Sequence, residues 1–350
     1  MKVKDMPKSR RVLEVFAILA ILGTNGICAR AESADDFYRG KQIRLVIGNS
    51  VGAEYDLGGR ILARHLGRHI PGHPAIVVQN MQGAAGIFAA NYLYNAAPAD
   101  GTVIGSVSRN IPIQAALDRD NLKADPRRFG WLGGSGLPSR VCYVAQSSRI
   151  RSPRDLFERE LIVGGAGAGS SLSFLPIALQ RVLYMKFRLV EGYRGVADAV
   201  VALQRGEIEG VCHGYNTLKT TQATLLRNGQ IRLLLRAEEA PLPDGTDVPS
   251  IYDYVSNEQQ RQILKFVFSA VEFGRPYFVP PGVPAARLEI LRAAFAATHT
   301  DPNYIAEAKS LQIDVTHRPA AALQKLADDL FATPKELVEQ VKAIMPAPGD

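Results

Sequence analysis

Residues 42–66 decide how this chain folds: an apolar strand QIRLVIG (42–48), a loop NSVGAEYD (49–56) and a helix LGGRILARHL (57–66). Strand, loop and helix in that order leave the unpaired N–H groups of the helix's first turn at the carboxyl edge of a sheet, where they can hold an anion. The unit recurs. AIVVQN (75–80), MQGAAG (81–86) and IFAANYLY (87–94) repeat it, and LIVGG (161–165), AGAGSS (166–171) and LSFLPIALQ (172–180) repeat it again. In open α/β sheets ligands sit outside the carboxyl ends of the strands, so three such loops can converge on one small molecule in a cleft.

A chain of 350 residues is long enough for two domains with separate cores. Its 47% apolar and 21% charged residues describe an ordinary globular protein, with neither disorder nor internal repeats. The amino terminus stands apart. Lys2, Lys4, Lys8, Arg10 and Arg11 precede an apolar run over 12–22 broken only by Glu14, and Ala29, Arg30 and Ala31 offer a small-x-small cleavage site. That pattern predicts a secretory signal peptide over 1–31, and hence export. The run is too short to cross roughly 30 Å of hydrocarbon easily, and Ile27 before Cys28 is not the small residue a lipobox needs. Loss of this segment removes six basic and two acidic residues, taking the formal charge from +7 to +3. No basic cluster interleaved with aromatics then remains to argue for nucleic acid.

Cys142 and Cys212 lie beyond that segment. An oxidising compartment permits a bridge between them; both lie on predicted strands, where side-by-side bridges are often strained, so two buried thiols are an equal alternative. His65 and His69 are one turn apart on a helix but lack a carboxylate on that face of it. They read as a solvated helix end, and no metal is expected.

Candidate ligand contacts cluster in the loops. Asp56 opens the first helix, as a cap or as part of the site. Gly83 and Gly86 allow close backbone approach in the second loop. The strand TVIGSVS (102–108) delivers Ser106, Ser108, Arg109 and Asn110 to the same edge. Arg109 can pair with a carboxylate, although a lone arginine at a strand end is more often solvated. The glycine-rich loop after LIVGG lacks the lysine of a phosphate-binding loop, and Ser170 stands where a dinucleotide fingerprint needs its last glycine, so no cofactor is expected. It offers a run of N–H groups with the hydroxyls of Ser170, Ser171 and Ser173, which suits a small anion. Tyr193, His213 and Tyr215 lie in later turns at strand ends. WLGGS with SRVCYVAQ suggests an extended connector out of the first domain, and RPYFVPPGVP a return connector followed by three amphipathic helices. Two connectors imply a hinge.

Taken in order, FYRGKQIRLVIG (37–48), GAEYDLGGRILARHLGRHIPGHP (52–74), QNMQGAAG (79–86), AANYLYNAAPADGTVIG (89–105), EGYRGVADAVVALQRGEIEG (191–210) and RPYFVPPGVPAARLEILRAAFAAT (275–298) resemble the substrate-binding receptors of tripartite tricarboxylate transporters. The resemblance spans nearly all of the chain after residue 31. It implies a periplasmic two-lobed binding protein of type II, a Venus flytrap of two three-layer α/β domains with a hinge. Lobe 1 is expected over 32–138 plus 255–350, and lobe 2 over 139–254. The resemblance also implies a small organic solute, a carboxylate, held by loop N–H groups and water. It further implies integral membrane transport subunits as partners, a monomer, and neither cofactor nor catalysis. With the loops described above, the expected ligand contacts are Gly52, Glu54, Tyr55, Asp56, Gly83, Ala84, Ala85, Gly86, Ser108 and Asn110 from the first lobe. Gly169, Ser170, Ser171, Tyr193 and His213 are expected from the second.

The departures from the family pattern bear on the ligand. Where the family shows GGGYD or GGGTD, this chain has Gly52, Ala53, Glu54, Tyr55 and Asp56; where it often has PGAGG, this chain has Gln82, Gly83, Ala84, Ala85 and Gly86. A Glu54 carboxylate beside a ligand carboxylate costs about 1 kcal/mol at ~4 Å even in bulk water. Either Glu54 faces solvent or the ligand is neutral or cationic there, so a dicarboxylate specificity does not carry over. A serine hydrolase is disfavoured, because neither GGSGL around Ser135 nor GAGSS around Ser170 completes a nucleophile elbow. A sensor for a membrane signalling partner would use the same fold and cleft.

Overall fold

The repeated strand-loop-helix units fall into two different sheets. The computed structural model describes residues 36–117, 122–136, 139–166, 170–242 and 244–344; the expected signal peptide lies outside them. In chain order the first group of elements is β1 (Gln42–Ile47), α1 (Glu54–Leu66), β2 (Ala75–Asn80), α2 (Ile87–Asn95), β3 (Val103–Ser106), α3 (Ile111–Leu117) and β4 (Gly130–Ser135). Then come β5 (Arg140–Ala145), β6 (Leu161–Gly164), α4 (Ser171–Leu183), β7 (Phe187–Val190), α5 (Val196–Arg205), β8 (Gly210–Gly214), α6 (Tyr215–Thr221), α7 (Ala223–Arg227) and β9 (Ile231–Arg236). The chain ends with α8 (Glu258–Glu272), β10 (Arg275–Val279), α9 (Ala285–Thr300), α10 (Pro302–Ser310), β11 (His317–Pro319), α11 (Ala320–Ala332) and α12 (Lys335–Ile344).

The first sheet has the order β11, β4, β10, β3, β1, β2, and the second β7, β6, β8, β5, β9. Strand β1 is parallel to β2 and β3, while β10 runs antiparallel between β3 and β4. In the second sheet β6 is parallel to β7 and β8, and β5 is antiparallel to β8 and β9.

Alternation along the strands decides the layers. Ile43, Leu45 and Ile47 turn to one face of the first sheet and pack with Ile61, Leu62 and Phe295, whereas Val46 turns to the other. Val141 and Tyr143 face one side of the second sheet, Cys142 and Val144 the opposite side. One apolar layer runs unbroken from Val46, Trp131 and Phe278 through Phe266, Leu323 and Leu337 to Leu175, Leu179 and Cys212. The two sheets therefore share a buried helical layer in which α8 packs on α4, α11 and α12. Burial of that area favours keeping them together.

Three sequence expectations change here. WLGGS is no connector but strand β4, and RPYFV is β10 at the centre of the first sheet. Their residues are almost all buried, as a strand covered on both faces requires, and Phe278 stacks on Phe129 with ring centroids 4.0 Å apart. The chain crosses between sheets after β4, before Arg140, and again after β9. Among the described residues four helices rather than three follow β10, because Asp301 caps a new helix at the Asn303 N–H, with Pro302 in its first turn.

His65 and His69 are not solvated either. His65 Nε2 lies 2.6 Å from Glu307 Oε2, and His69 Nε2 lies 3.1 Å from Asp301 Oδ2. The carboxylates missing from their own helix come from the far end of the chain. Among the described residues no group of three or more His, Cys, Asp or Glu is placed to hold a metal, and no helix is long and apolar enough to cross a membrane. Cys142 and Cys212 stand opposite each other in the β5–β8 pair and form a disulfide, which decides between the two alternatives left by the sequence.

Candidate ligand-binding cleft

Strands β1, β3 and β4 end at one edge of the first sheet, where antiparallel β10 begins with Arg275 opposite Ser135. From the second sheet, the start of β5 and the end of β8, with Arg140 opposite Gly214, meet this edge. Between them lies a cavity of about 350 Å³. The first sheet's side supplies Glu54, Arg109, Ser135, Arg275 and Asp314, and the second supplies Arg140, Gly214, Asn216 and Thr217. Asn216 Nδ2 donates to Asp314 Oδ2 at 2.8 Å, a direct contact between the two sides.

Of the expected contacts only Glu54 lines this cavity, while the loops after β1, β2 and β3 meet one another beside it. Gly86 has φ +98°, and a Cβ there would stand 3.5 Å from the Ser108 nitrogen and 3.6 Å from the Gly48 oxygen. Gly83 precedes a single helical turn formed by Ala84, Ala85 and Gly86, and the Asn110 N–H donates to Ser108 Oγ at 3.3 Å. Tyr55 Oη accepts from the Arg109 N–H at 2.9 Å, tying the loop after β3 to α1.

Asp56 is 1% exposed and faces inward. Its carboxylate accepts from the Gly52 N–H at 2.8 Å, from Arg60 Nε at 2.9 Å and from Asn80 Nδ2 at 2.9 Å. Burial pushes this carboxyl's pKa up, but the bonds from Arg60, Gly52 and Asn80 outweigh burial and hold it below the usual range. The residue closes its own loop. Asp56→Ala leaves three donors unanswered and should lower stability by about 2–3 kcal/mol, read from urea denaturation at neutral pH. A loss below about 0.5 kcal/mol would show that this network does not hold the loop.

Glu54 lies on the cavity wall, with its side chain 53% exposed. Its Oε1 accepts from Arg275 Nη1 at 2.7 Å, and its Oε2 lies 3.5 Å from Arg109 Nη2. The carboxylate that looked out of place is thus matched by two guanidiniums, one of which, Arg275, is only 5% exposed. Arg109, expected as a solvated group, has a side chain 15% exposed and is paired.

On the second lobe, Ser170 Oγ caps α4 by accepting from the Ser173 N–H at 3.2 Å, and Ser173 Oγ donates to Glu191 Oε1 at 3.0 Å. A Cβ on Gly165 would come within 2.5 Å of that Glu191 carboxylate, so this loop is closely filled by protein. The Tyr193 N–H donates to the Gly165 oxygen at 3.2 Å. His213 is buried with Nε2 3.0 Å from Tyr143 Oη, and burial lowers its pKa to about 4. Ser171 opens α4, and Gly169 lies outside the described residues.

Arg140, Arg275, Asn216, Thr217 and Asp314 were not singled out from the sequence. Arg140 and Arg275 left a local signal, each as a cation opening an otherwise apolar strand. A larger hollow of about 790 Å³ is lined by Ala237, Tyr252, Phe266, Leu326 and Leu330 among others. It lies among helices rather than at strand ends, so the cleft is the better candidate for a ligand.

No protein-family model matches the chain. A UPF0065 protein of Cupriavidus necator is 22% identical over 334 residues, covering 93% of this chain and 95% of that protein. A solved TctC solute-binding protein from Polaromonas is similar with a TM-score of 0.69 at 18% identity, over 87% of this chain and 99% of the other. An R. palustris protein with adipate gives 0.56 at 19% identity, over 87% and 98%. MatC from Rhodopseudomonas palustris with bound malate gives 0.54 at 18% identity, over 88% and 99%. What these likenesses establish is the two-lobed α/β fold of the solute-binding proteins.

Proposed function

We propose, from a fold shared with the TctC-type solute-binding proteins, that this chain is a periplasmic receptor that captures a small organic carboxylate between its two lobes. In this reading residues 1–31 direct export, lobe 1 comprises 32–138 plus 255–350, lobe 2 comprises 139–254, and the loaded protein delivers its solute to integral membrane transport subunits. The observation that carries the reading is a cavity at the strand ends walled by residues of both sheets. A ligand that touches Arg109 and Glu54 on one side and Arg140 and Asn216 on the other favours the closed arrangement over the open one. Binding without turnover fits the serines: Ser170 serves as a helix cap, Ser135 Oγ lies 3.5 Å from Tyr304 Oη, and His213 is engaged with Tyr143.

A thermal-shift screen of residues 32–350 against carboxylates, amino acids and neutral solutes tests this. A solute at about 100 times its dissociation constant stabilises by about 2.7 kcal/mol, and at least one organic acid is expected to do so. A protein stabilised by none of them, or equally by sulfate and every acid, is not a solute receptor.

A further inference from the structure

A side-chain hydrogen bond crosses from one wall of the cleft to the other: Asn216 Nδ2 donates to Asp314 Oδ2 at 2.8 Å. Each end of it is fixed to its own sheet. Asp314 Oδ1 accepts from the Thr316 N–H at 2.9 Å and from Thr316 Oγ1 at 2.7 Å, which sets the direction in which Oδ2 points. The Asp314 backbone oxygen accepts from Nη2 of the buried Arg275, whose Nη1 holds Glu54. The Gly136 N–H donates to the Thr316 oxygen at 2.8 Å, and a Cβ on Gly136 would stand 2.9 Å from the Asp314 oxygen.

Asn216 is anchored from the other side. It lies in the first turn of α6 directly after Tyr215, whose N–H donates to the Ser139 oxygen at 2.6 Å and whose hydroxyl donates to Asp244 Oδ2 at 3.0 Å. Gly136 follows β4 and Ser139 precedes β5, so they are the two ends of the first crossing between the sheets. Asp314 is thus packed on one end of the crossing and Asn216 is tied to the other. A change in the angle between the sheets at this crossing moves the two side chains apart.

We infer that the hydrogen bond between Asn216 and Asp314 is a clasp across the first crossing that favours the closed arrangement of the two lobes, and that these are positioning residues for the retention of a solute. This rests on the solute-binding reading. The bond forms only where the two walls meet, so its free energy counts toward the closed state alone, and a solute held between the walls is bound tighter by the same factor. Its acceptor is a carboxylate, which makes it stronger than a bond between neutral groups. Release of the solute has to break it.

An exchange of the two side chains tests this. Asn216→Asp removes the donor and sets two carboxylates face to face, and Asp314→Asn added to it supplies an amide donor from the opposite side while its amide oxygen still accepts from Thr316. For the acid that gives the largest shift in the thermal screen, Asn216→Asp is expected to dissociate about tenfold faster or more, with little change in the association rate, and the exchanged pair to return to within about threefold of the wild type. Small-angle scattering of the solute-free protein should show a larger radius of gyration for Asn216→Asp than for the wild type or the exchanged pair. Unchanged scattering together with an unchanged dissociation rate in Asn216→Asp, or an exchanged pair as open and as fast as the single variant, overturns the clasp and leaves the receptor standing. Silence of the wild type toward the whole screen removes the receptor reading, and the scattering comparison then decides the clasp by itself. Should Asn216→Asp not fold, Asn216→Ala, Asp314→Ala and their combination replace it, and effects on the radius of gyration and dissociation rate that simply add overturn the clasp.

Discussion

Replacing Cys142 and Cys212 together by alanine is expected to lower the stability of the protein by about 3–4 kcal/mol. The bridge closes a loop of 70 residues, and in the chain-entropy account such a loop costs the denatured state about 4 kcal/mol. Both cysteines are fully buried, on strands β5 and β8 inside the second sheet, so the shorter side chains also lose packing. The bridge sits two residues from Arg140 on one strand and two from Gly214 on the other, both in the cavity wall. Its loss should therefore soften the second lobe's face of the cleft as well as its core. Urea denaturation of the oxidised wild type beside the double variant measures the difference. A loss under about 1 kcal/mol would mean that the second sheet does not depend on the bridge.

Stability should also fall steeply on acidification, because His213 and His299 are buried as neutral rings. Burial lowers both to about 4 from an ordinary value of 6.5; hydrogen bonding at the backbone of Gly214 and of Phe295 opposes this, and the charge of Arg140 acts with burial on His213, as His317 and Arg275 do on His299. Between those values the unfolded chain binds a proton at each site and the folded chain does not. Their contribution is complete above pH 6.5 and is lost as pH falls through about 4. Each can cost roughly 3 kcal/mol over that window.

Glu238 works in the opposite sense. Burial raises its carboxyl from 4.5 to about 7, with the Arg140 N–H and the nearby arginine charges pulling it back, so its contribution is complete at low pH and is lost as pH rises through about 7. The net slope on the acid side follows the two histidines. Denaturation midpoints at about pH 7 and about pH 4.5 should differ clearly in the wild type and less in His213→Gln, while Glu238→Gln should gain stability only on the alkaline side. Equal wild-type midpoints at the two pH values would show that the rings are not held neutral.

Much of the architecture is a local matter. The run QIRLVIG, its loop and its helix report themselves through apolar patterning over a few residues, as do the matching units at 75–94 and 161–180. The convergence of Gly48, Gly86 and Ser108 at one sheet edge follows from that pattern. WLGGS and RPYFV were legible as extended but not as central strands, since only the neighbours β3, β10 and β11 make them so. The chemistry of the cleft is likewise not local. Glu54 and Arg275 are 221 residues apart, His65 and Glu307 242 apart, and Cys142 faces Cys212 only through the register of β5 on β8. Periodicity is a property of a short window, whereas pairing and burial of charge depend on which distant segment the sheet brings alongside. The sequence by itself therefore determined most of the strands and helices and the sheet edge at which the loops meet, and the tertiary structure decided which distant side chains, Arg109, Arg140 and Arg275 among them, come together beside it.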